Sequence, residues 1–363
     1  MWTLTVNVGR PKETRQQAST MNLEHALRCI IFTGLAVLLS LAGTSVVVAD
    51  TAVRFLLDRP VDGAAAPLVV AKDRRLFGGR GLDVQMSVAK GSQDAIDRVA
   101  KGDGDIALAD LNVLIRYSDT ANAAPVKAVF VLFNRASYAV VARKSRGIAS
   151  LTDLPGKTLG VAEGDLAIRL WPALAHGNGI DATKVKTEKI GAAVREPMLS
   201  AGQVDAVSGL SFGSAVNLRD RGVPASDLVV FKFADYGSPV YGTAIVVNPA
   251  FAATSPEAVR AFLVSVIEGV KLSAKEPALA IDAVLARLDS GVRDNELERL
   301  HIVLHDSILT DEVRRNGLGA IAEERFEASL DAIAMDAKFR RRPALTDIFD
   351  DAFLPPAEAR KAP

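Results

Sequence analysis

Cysteine is nearly missing from this 363-residue chain, which has only Cys29. One thiol excludes an intrachain disulfide framework and a cysteine-rich metal site. Histidine is scarce too: beyond residue 49 there are only His176, His301 and His305. His301 and His305 have the i,i+4 spacing of a metal pair. Ile302 stands where H-E-x-x-H requires Glu, so the pair reads as a solvated helix face. The phosphate loop G-x-x-x-x-G-K-[ST] is also absent. No metal, cofactor or catalytic residue is expected, and the chain is not expected to be an enzyme. An excess of one charge is missing as well, with 43 Lys+Arg against 43 Asp+Glu. Nucleic-acid-binding surfaces carry a basic excess, so no nucleic-acid partner is expected. Aromatic residues make up 6% of the chain, so a cluster of them near a turn is informative. What remains is an ordinary globular composition, 49% hydrophobic and 24% charged, at a length that suits two domains.

One long apolar run occurs, from Cys29 to Ala42. Arg28 precedes it, and the small-residue site Val47-Val48-Ala49 follows. A basic flank, a short apolar stretch and small residues at −3 and −1 form a secretory signal. Residues 1–49 are therefore expected to be a signal peptide with an upstream segment, cleaved near Ala49. A membrane span needs about 20 apolar residues, and Gly43-Thr44-Ser45 interrupts this run early. Residues 1–20 are polar, and a start at Met21 restores an ordinary signal length. Removal of residues 1–49 takes away four basic residues (Arg10, Lys12, Arg15, Arg28) and two acidic ones (Glu13, Glu24). That leaves 39 against 41, a net charge of −2, and no cysteine. A cysteine-free chain suits an oxidising compartment such as the periplasm.

The remaining sequence alternates short apolar strands with helical stretches. Strands are expected at 52–57, 82–88, 105–109, 126–133, 137–142, 157–162, 184–190, 204–208, 229–233 and 242–247. Helices are expected at 64–75, from Gly91-Ser92 through Val99, from Gly164-Asp165 through His176, and from Arg195-Glu196-Pro197. This alternation indicates parallel βαβ units in two similar halves. Helical periodicity dominates from Pro256, with Val259, Phe262, Leu263, Val266 and Val270 on one face. Residues 331–353 read as one more helix before a Pro-rich tail.

Several segments in order carry a family resemblance. They are Ala71-Lys-Asp-Arg-Arg-Leu-Phe77, Gly81-Leu-Asp-Val84, Lys90-Gly-Ser-Gln-Asp-Ala95 and Gly104-Asp-Ile-Ala-Leu-Ala-Asp110. Leu151-Thr-Asp-Leu-Pro-Gly-Lys157, Arg195-Glu-Pro-Met-Leu199, Gly202-Gln-Val-Asp-Ala206 and Asp235-Tyr-Gly-Ser-Pro-Val-Tyr-Gly242 follow. With them the chain resembles periplasmic substrate-binding proteins of ABC importers, in the nitrate/taurine and thiamine-pyrimidine-precursor group. The resemblance implies an α/β, two-lobed type II periplasmic binding protein fold. Each lobe would be a mixed, mainly parallel sheet flanked by helices. Lobe 1 would comprise 50–142 and 243–363 and lobe 2 residues 143–242, with Ser137–Ala142 and Gly242–Val247 as a two-strand hinge.

Ligands of open α/β sheets bind at the carboxyl ends of strands, often on helix N-termini. Asp58 and Arg59 follow the first strand. Arg59 stands where many relatives of this group carry an aromatic residue, and it points to an anionic or polar ligand. Gly91-Ser92 reads as an anion-holding helix start or as a plain N-cap. Asp110 reads as an acceptor for an amine or amide, or as a helix cap. Gly164, Asp165 and Arg169 begin one helix of the second half, and Arg195-Glu196 begin another. Arg195 is either an oxyanion clamp or half of an Arg–Glu pair. Ser211 and Phe212 end a strand and offer a hydroxyl and a ring. Asp235, Tyr236 and Tyr241 flank the second hinge strand, where the alternative to ligand contact is hinge packing.

The expected function is solute binding. A small organic molecule, anionic or aromatic or both, would enter the interlobe cleft of a monomer and pass to an ABC permease and its ATPase in the inner membrane. The alternatives are a periplasmic ligand sensor and an enzyme of the thiamine-pyrimidine superfamily. The cysteine-rich motif of the fungal enzyme in that superfamily cannot occur in a chain without cysteine.

Overall fold

A computed structural model describes residues 50–363. The expected signal segment, with Met21, Cys29 and the cleavage position at Ala49, lies outside the described residues. The first half runs β1 (Thr51–Leu57), α1 (Ala66–Asp73), β2 (Leu82–Val88), α2 (Ser92–Lys101), β3 (Ile106–Asp110), α3 (Leu111–Ser118) and β4 (Lys127–Val131). The second half runs β5 (Tyr138–Arg143), β6 (Thr158–Ala162), α4 (Leu166–Gly177), β7 (Lys186–Ile190), α5 (Arg195–Ala201), β8 (Ala206–Leu210), α6 (Ser211–Asp220) and β9 (Leu228–Lys232). The chain returns as β10 (Thr243–Val247). It continues into α7 (Pro256–Lys275), α8 (Pro277–Leu285), α9 (Arg293–Ile302) and α10 (Glu323–Ala334).

Two five-stranded sheets result, ordered β2-β1-β3-β10-β4 and β7-β6-β8-β5-β9. In the first, β1 pairs in parallel with β2 and β3, while β10 is antiparallel to β3 and β4. The second repeats this plan, with β6 parallel to β7 and β8, and β5 antiparallel to β8 and β9. Each is a mixed sheet with helices on its faces, a two-lobed α/β architecture. Period-two alternation assigns the strand side chains to two faces. Phe55, Ile106, Leu108 and Ile245 pack with α1 and α7, while Ala107, Ala109, Ala244 and Val246 enter a second core cluster. The expected apolar stripe of α7 is fully buried, and the Phe262 ring meets Phe77 at 4.9 Å and Phe55 at 5.0 Å.

Two sequence expectations change in detail. Each expected hinge strand is a member of one sheet. β5 pairs only with β8 and β9, and β10 only with β3 and β4. The crossings are the short segments just before these strands, where Gly242 N–H donates to the Phe133 carbonyl at 2.9 Å. A Cβ on Gly242 would lie 2.9 Å from Ala136 Cα, so only glycine permits this approach. The second change concerns residues 331–353, which are not one helix. α10 ends at Ala334, and helical turns resume only at Leu345–Ile348 and Asp351–Phe353. Pro343 has no N–H and disfavours helical geometry at Arg342. The N–H groups of Arg340 and Arg341 donate instead to the Asp119 carboxylate at 2.7 and 2.8 Å.

The packing of α7 on α1 gives a test. A Cβ on Gly269 would stand 2.1 Å from the Pro67 carbonyl oxygen of α1. Helix propensity alone favours Ala over Gly by roughly 1 kcal/mol. Backbone cannot yield cheaply, so Gly269→Ala should destabilise the protein by about 1–3 kcal/mol. Urea denaturation measures this, and an unchanged or raised midpoint would show that the helices separate freely.

Candidate functional site

The carboxyl ends of β1, β2 and β3 deliver Asp58-Arg59, Lys90-Gly91-Ser92 and Asp110 to one edge of the first sheet. These residues build a buried polar floor. Arg59 donates to both Asp58 oxygens, at 2.9 and 3.0 Å, and its guanidinium lies 5.7 Å from the centre of the Phe212 ring. Burial works against the Arg59 charge, yet the Asp58 carboxylate outweighs it and raises the pKa. Ser92 Oγ donates to Asp58 at 2.8 Å and accepts the Asp110 N–H at 3.0 Å. Asp110 caps α3 by accepting the Asn112 N–H at 2.8 Å, and the Tyr138 hydroxyl donates to its other oxygen. Burial raises the pKa of Asp110, hydrogen bonds from Tyr138 and Asn112 oppose the rise, and the charge of Asp58 adds to it. Asn112 Nδ2 donates to the Tyr241 carbonyl at 2.7 Å, while its buried Oδ1 has no partner.

Above this floor lies a cavity of about 400 Å³ between α2 and α3 on one side and α4 on the other. Ser92 belongs to both floor and wall. Val113, Arg116 and Tyr117 line the cavity from α3, at the i, i+3, i+4 spacing of one helix face, with Thr120 just past its end. Leu166 and Arg169 line it from α4 and Gly164 from the turn before that helix, and Lys90, Gly91 and Gln93 complete it. Gly91 is the N-cap of α2 with φ 102°, a conformation suited to glycine, and no side chain caps this helix. The first-turn N–H groups therefore offer donors and a positive dipole end. Lys90, Arg116 and Arg169 add three positive charges, and no carboxylate is among the described lining residues. Burial lowers the Arg116 pKa, Asp336 opposes that, and the charge of Arg169 reinforces it. A neighbouring cavity of about 540 Å³ shares Gly164 and Arg169 and reaches Glu163, Asp165 and Lys189.

The other residues singled out from the sequence divide between this edge and the rest of the molecule. Asp165 borders the second cavity, caps α4 through the Ala167 N–H at 2.8 Å and accepts from the Ser208 hydroxyl. Phe212 is buried beneath Arg59, edge-on to Phe133 at 6.3 Å. The structure does not bring Arg195 and Glu196 to either cavity. Arg195 Nε and Nη2 donate to Glu196 Oε1 at 2.9 and 2.7 Å, and buried Glu196 also accepts from Ser214. Asp235, Tyr236 and Tyr241 are likewise apart from the cavity. Asp235 is exposed and pairs with Lys232 at 3.2 Å. The Tyr236 ring packs on Phe231 at 6.0 Å. Tyr241 is buried under the Arg325 guanidinium, 4.0 Å from its ring centre, with its hydroxyl donating to Glu312 at 2.8 Å. The rings of both tyrosines thus pack against the chain itself.

Ser211 lies in Gly209-Leu-Ser-Phe-Gly213, which spells G-x-S-x-G at a strand-to-helix turn. That spacing weakens the exclusion of an enzyme drawn from the sequence. A nucleophile turn holds its serine in a strained, exposed position beside a base. Ser211 is 4% exposed and has no positive φ, and no histidine or carboxylate hydrogen-bonds to it among the described residues. Its surroundings do not activate a nucleophile.

The sequence reading missed Lys90, Gln93, Val113, Arg116, Tyr117, Thr120 and Leu166 on the wall, and at the floor Asn112, Tyr138 and Thr243, whose hydroxyl accepts from Arg59 at 3.4 Å. The face on α3 was recoverable: once Asp110 is a strand end, residues three and four apart beyond it point the same way. Tyr138 was not recoverable, since its partner lies across the lobe boundary.

The buried Asp110 gives a pH test. Its folded pKa lies above the usual carboxylate value of about 3.9, so the folded state holds its proton longer than the unfolded state does. Stability from this group is present at low pH and is lost as pH rises through the folded pKa. Asp110→Asn removes that loss. Its stability relative to the wild type should therefore grow between pH 4 and pH 7 in urea titrations, and a constant difference would contradict the assignment.

Comparison with known proteins agrees with this geometry. Residues 63–280 match the family described as NMT1/THI5 like. The riboflavin-binding protein RibY of Chloroflexus aurantiacus is 31% identical over 194 residues, which cover 51% of each chain, so this chain spans about half the length of that curated relative. The periplasmic aliphatic sulphonate binding protein SsuA of Escherichia coli superposes with TM-score 0.66 at 13% identity, covering 82% of this chain and 92% of that one. The periplasmic nitrate-binding protein NrtA of Synechocystis PCC 6803 superposes with TM-score 0.60 at 13% identity, covering 85% and 88%. At such identities the superpositions establish the fold alone, whereas the family match spans more than half of the chain. With its two mixed sheets and the cavity at their strand ends, this protein has the two-lobed periplasmic binding protein fold and belongs to the NMT1/THI5-like family.

Proposed function

We propose that this protein is the extracytoplasmic solute-binding component of an ABC import system, and that it takes a small organic anion into the cavity between its lobes for delivery to a membrane permease. The observation that carries this reading is the cavity wall. Three cations and an uncapped helix N-terminus face a space whose described lining has no carboxylate. Charge-assisted hydrogen bonds to an oxyanion are strong in such a setting. Val113, Leu166 and the Tyr117 ring add apolar surface, which suits an organic body bearing the charge. The named ligands of two structural neighbours, a sulphonate and nitrate, are both anions. Arg116 comes from one lobe and Arg169 from the other, so an anion between them favours the closed arrangement. Export to the periplasm is supported by the signal pattern of residues 1–49, and no described helix is long and apolar enough to cross a membrane.

RibY supports a second reading, in which the ligand is a planar vitamin such as riboflavin. Its ring would lie against Tyr117 and Leu166, but as a neutral molecule it would leave the cations without a counter-charge.

Titration calorimetry of the chain without residues 1–49 separates the two readings. Benzoate and benzenesulfonate should bind, and the uncharged benzamide should bind at least tenfold more weakly. At a ligand concentration 100 times Kd, stability should rise by about 2.7 kcal/mol. Arg169→Ala should weaken benzenesulfonate about tenfold or more, in line with the roughly 1.5–3 kcal/mol of a charged hydrogen bond. Preference for riboflavin over both anions would favour the second reading, and equal binding of benzoate and benzamide would remove the anion reading.

A further inference from the structure

Both cavity arginines have a carboxylate behind them. Asp336 Oδ2 lies 2.9 Å from Arg116 Nη2 and 3.9 Å from Arg169 Nη1, yet Asp336 does not line the cavity. It sits just past the end of α10, a helix that packs on α4 of the second lobe. One carboxylate thus touches a cation of each lobe. The contact is close, but Arg116 Nη2 is buried and its N–H groups are not well aligned with the Asp336 carboxylate. A buried guanidinium donor left in this state retains most of its capacity for an acceptor. The two guanidinium groups also repel each other, and the carboxylate between them relieves that repulsion.

We infer that Asp336 is an internal counter-ion that sets the anion affinity of the cavity by competing with the ligand for Arg116 and Arg169. This rests on the reading of the cavity as an organic-anion site. When the cavity is empty, Asp336 holds both arginines and allows like charges to stand together without a ligand. An oxyanion entering between α2 and α4 takes over donors that Asp336 engages only loosely. The affinity is then the difference between two charge pairings rather than the gain from one. Such a device weakens binding and so favours release to a permease. It also discriminates by charge, since a neutral solute cannot compete for the arginines.

The test uses the chain without residues 1–49, benzenesulfonate as the anionic probe and benzamide as the neutral one. Asp336→Asn should tighten benzenesulfonate about tenfold at low salt and leave benzamide unchanged. Its benzenesulfonate affinity should also fall more steeply with added salt than that of the wild type. Asp336→Glu, which keeps the charge, should stay near the wild type. The ion pair is partly exposed, so Asp336→Asn should fold, with a slightly lower melting temperature when empty. Anion binding that is unchanged or weaker in Asp336→Asn, while the wild type binds, overturns this inference and leaves the anion site standing. Equal tightening of both probes also overturns it, because charge would not be the cause. Failure of the wild type to bind any anion overturns the anion reading and this inference with it.

Discussion

Everything at the strand ends depends on one buried contact between the lobes. The Tyr138 hydroxyl, at the start of the second sheet, donates to the Asp110 carboxylate, at the end of a strand in the first. Burying a carboxylate is costly unless hydrogen bonds replace water. Asp110 receives them from Tyr138, the Asn112 backbone and the Asn112 side chain. The same Asn112 amide holds the Tyr241 carbonyl at the second crossing. Asp110 is also held from behind by Ser92, which reaches Asp58 and through it Arg59. The floor is thus a connected polar network, in which loss of one member strands the charge of the next.

The cavity wall follows the opposite rule. The floor pairs its charges within the protein, whereas the wall leaves three cations facing an open space. Repulsion among them is tolerated because Lys90 and Arg169 are exposed to solvent and because Asp336 stands behind Arg116 and Arg169. Under the proposed solute-binding role, this division would serve both binding and release. The floor keeps the strand ends in register, and the wall supplies charge that a ligand can complete.

The hinge shows what the polar aromatics of the Asp235–Gly242 loop contact within the chain itself. Tyr241 lies between Arg325 and Glu312, and its hydroxyl also accepts the Ala322 N–H at 2.9 Å. Arg325 in turn donates to the Pro239 carbonyl at 2.6 Å and to Asn134. This cluster ties the helical carboxy-terminal section to both crossings. A loop rich in aromatics beside a hinge satisfies the sequence criteria for a ligand clamp and for a structural rivet equally well. Only the partners of the hydroxyl distinguish them.

The sequence by itself determined the order of the strands, since the period-two pattern is local and each expected strand has an observed counterpart, whereas α3 and α6 were not among the expected helices. It also marked Asp58, Arg59, Gly91, Ser92, Asp110 and Gly164 as strand-end positions, because topology places such residues at a cleft whatever their partners. Tertiary structure decided how each charge is used. Arg195 and Arg169 look alike in sequence, each near a helix start. Arg195 folds back on Glu196, beside a glycine that leaves room for its guanidinium, while Arg169 faces the cavity. Arg116 and Asp336 are 220 positions apart and meet only in the folded chain, where α10 also packs on α4, the helix that carries Arg169. Periodicity can be read along a chain, but a pairing between distant residues is set by the packing of the elements that carry them.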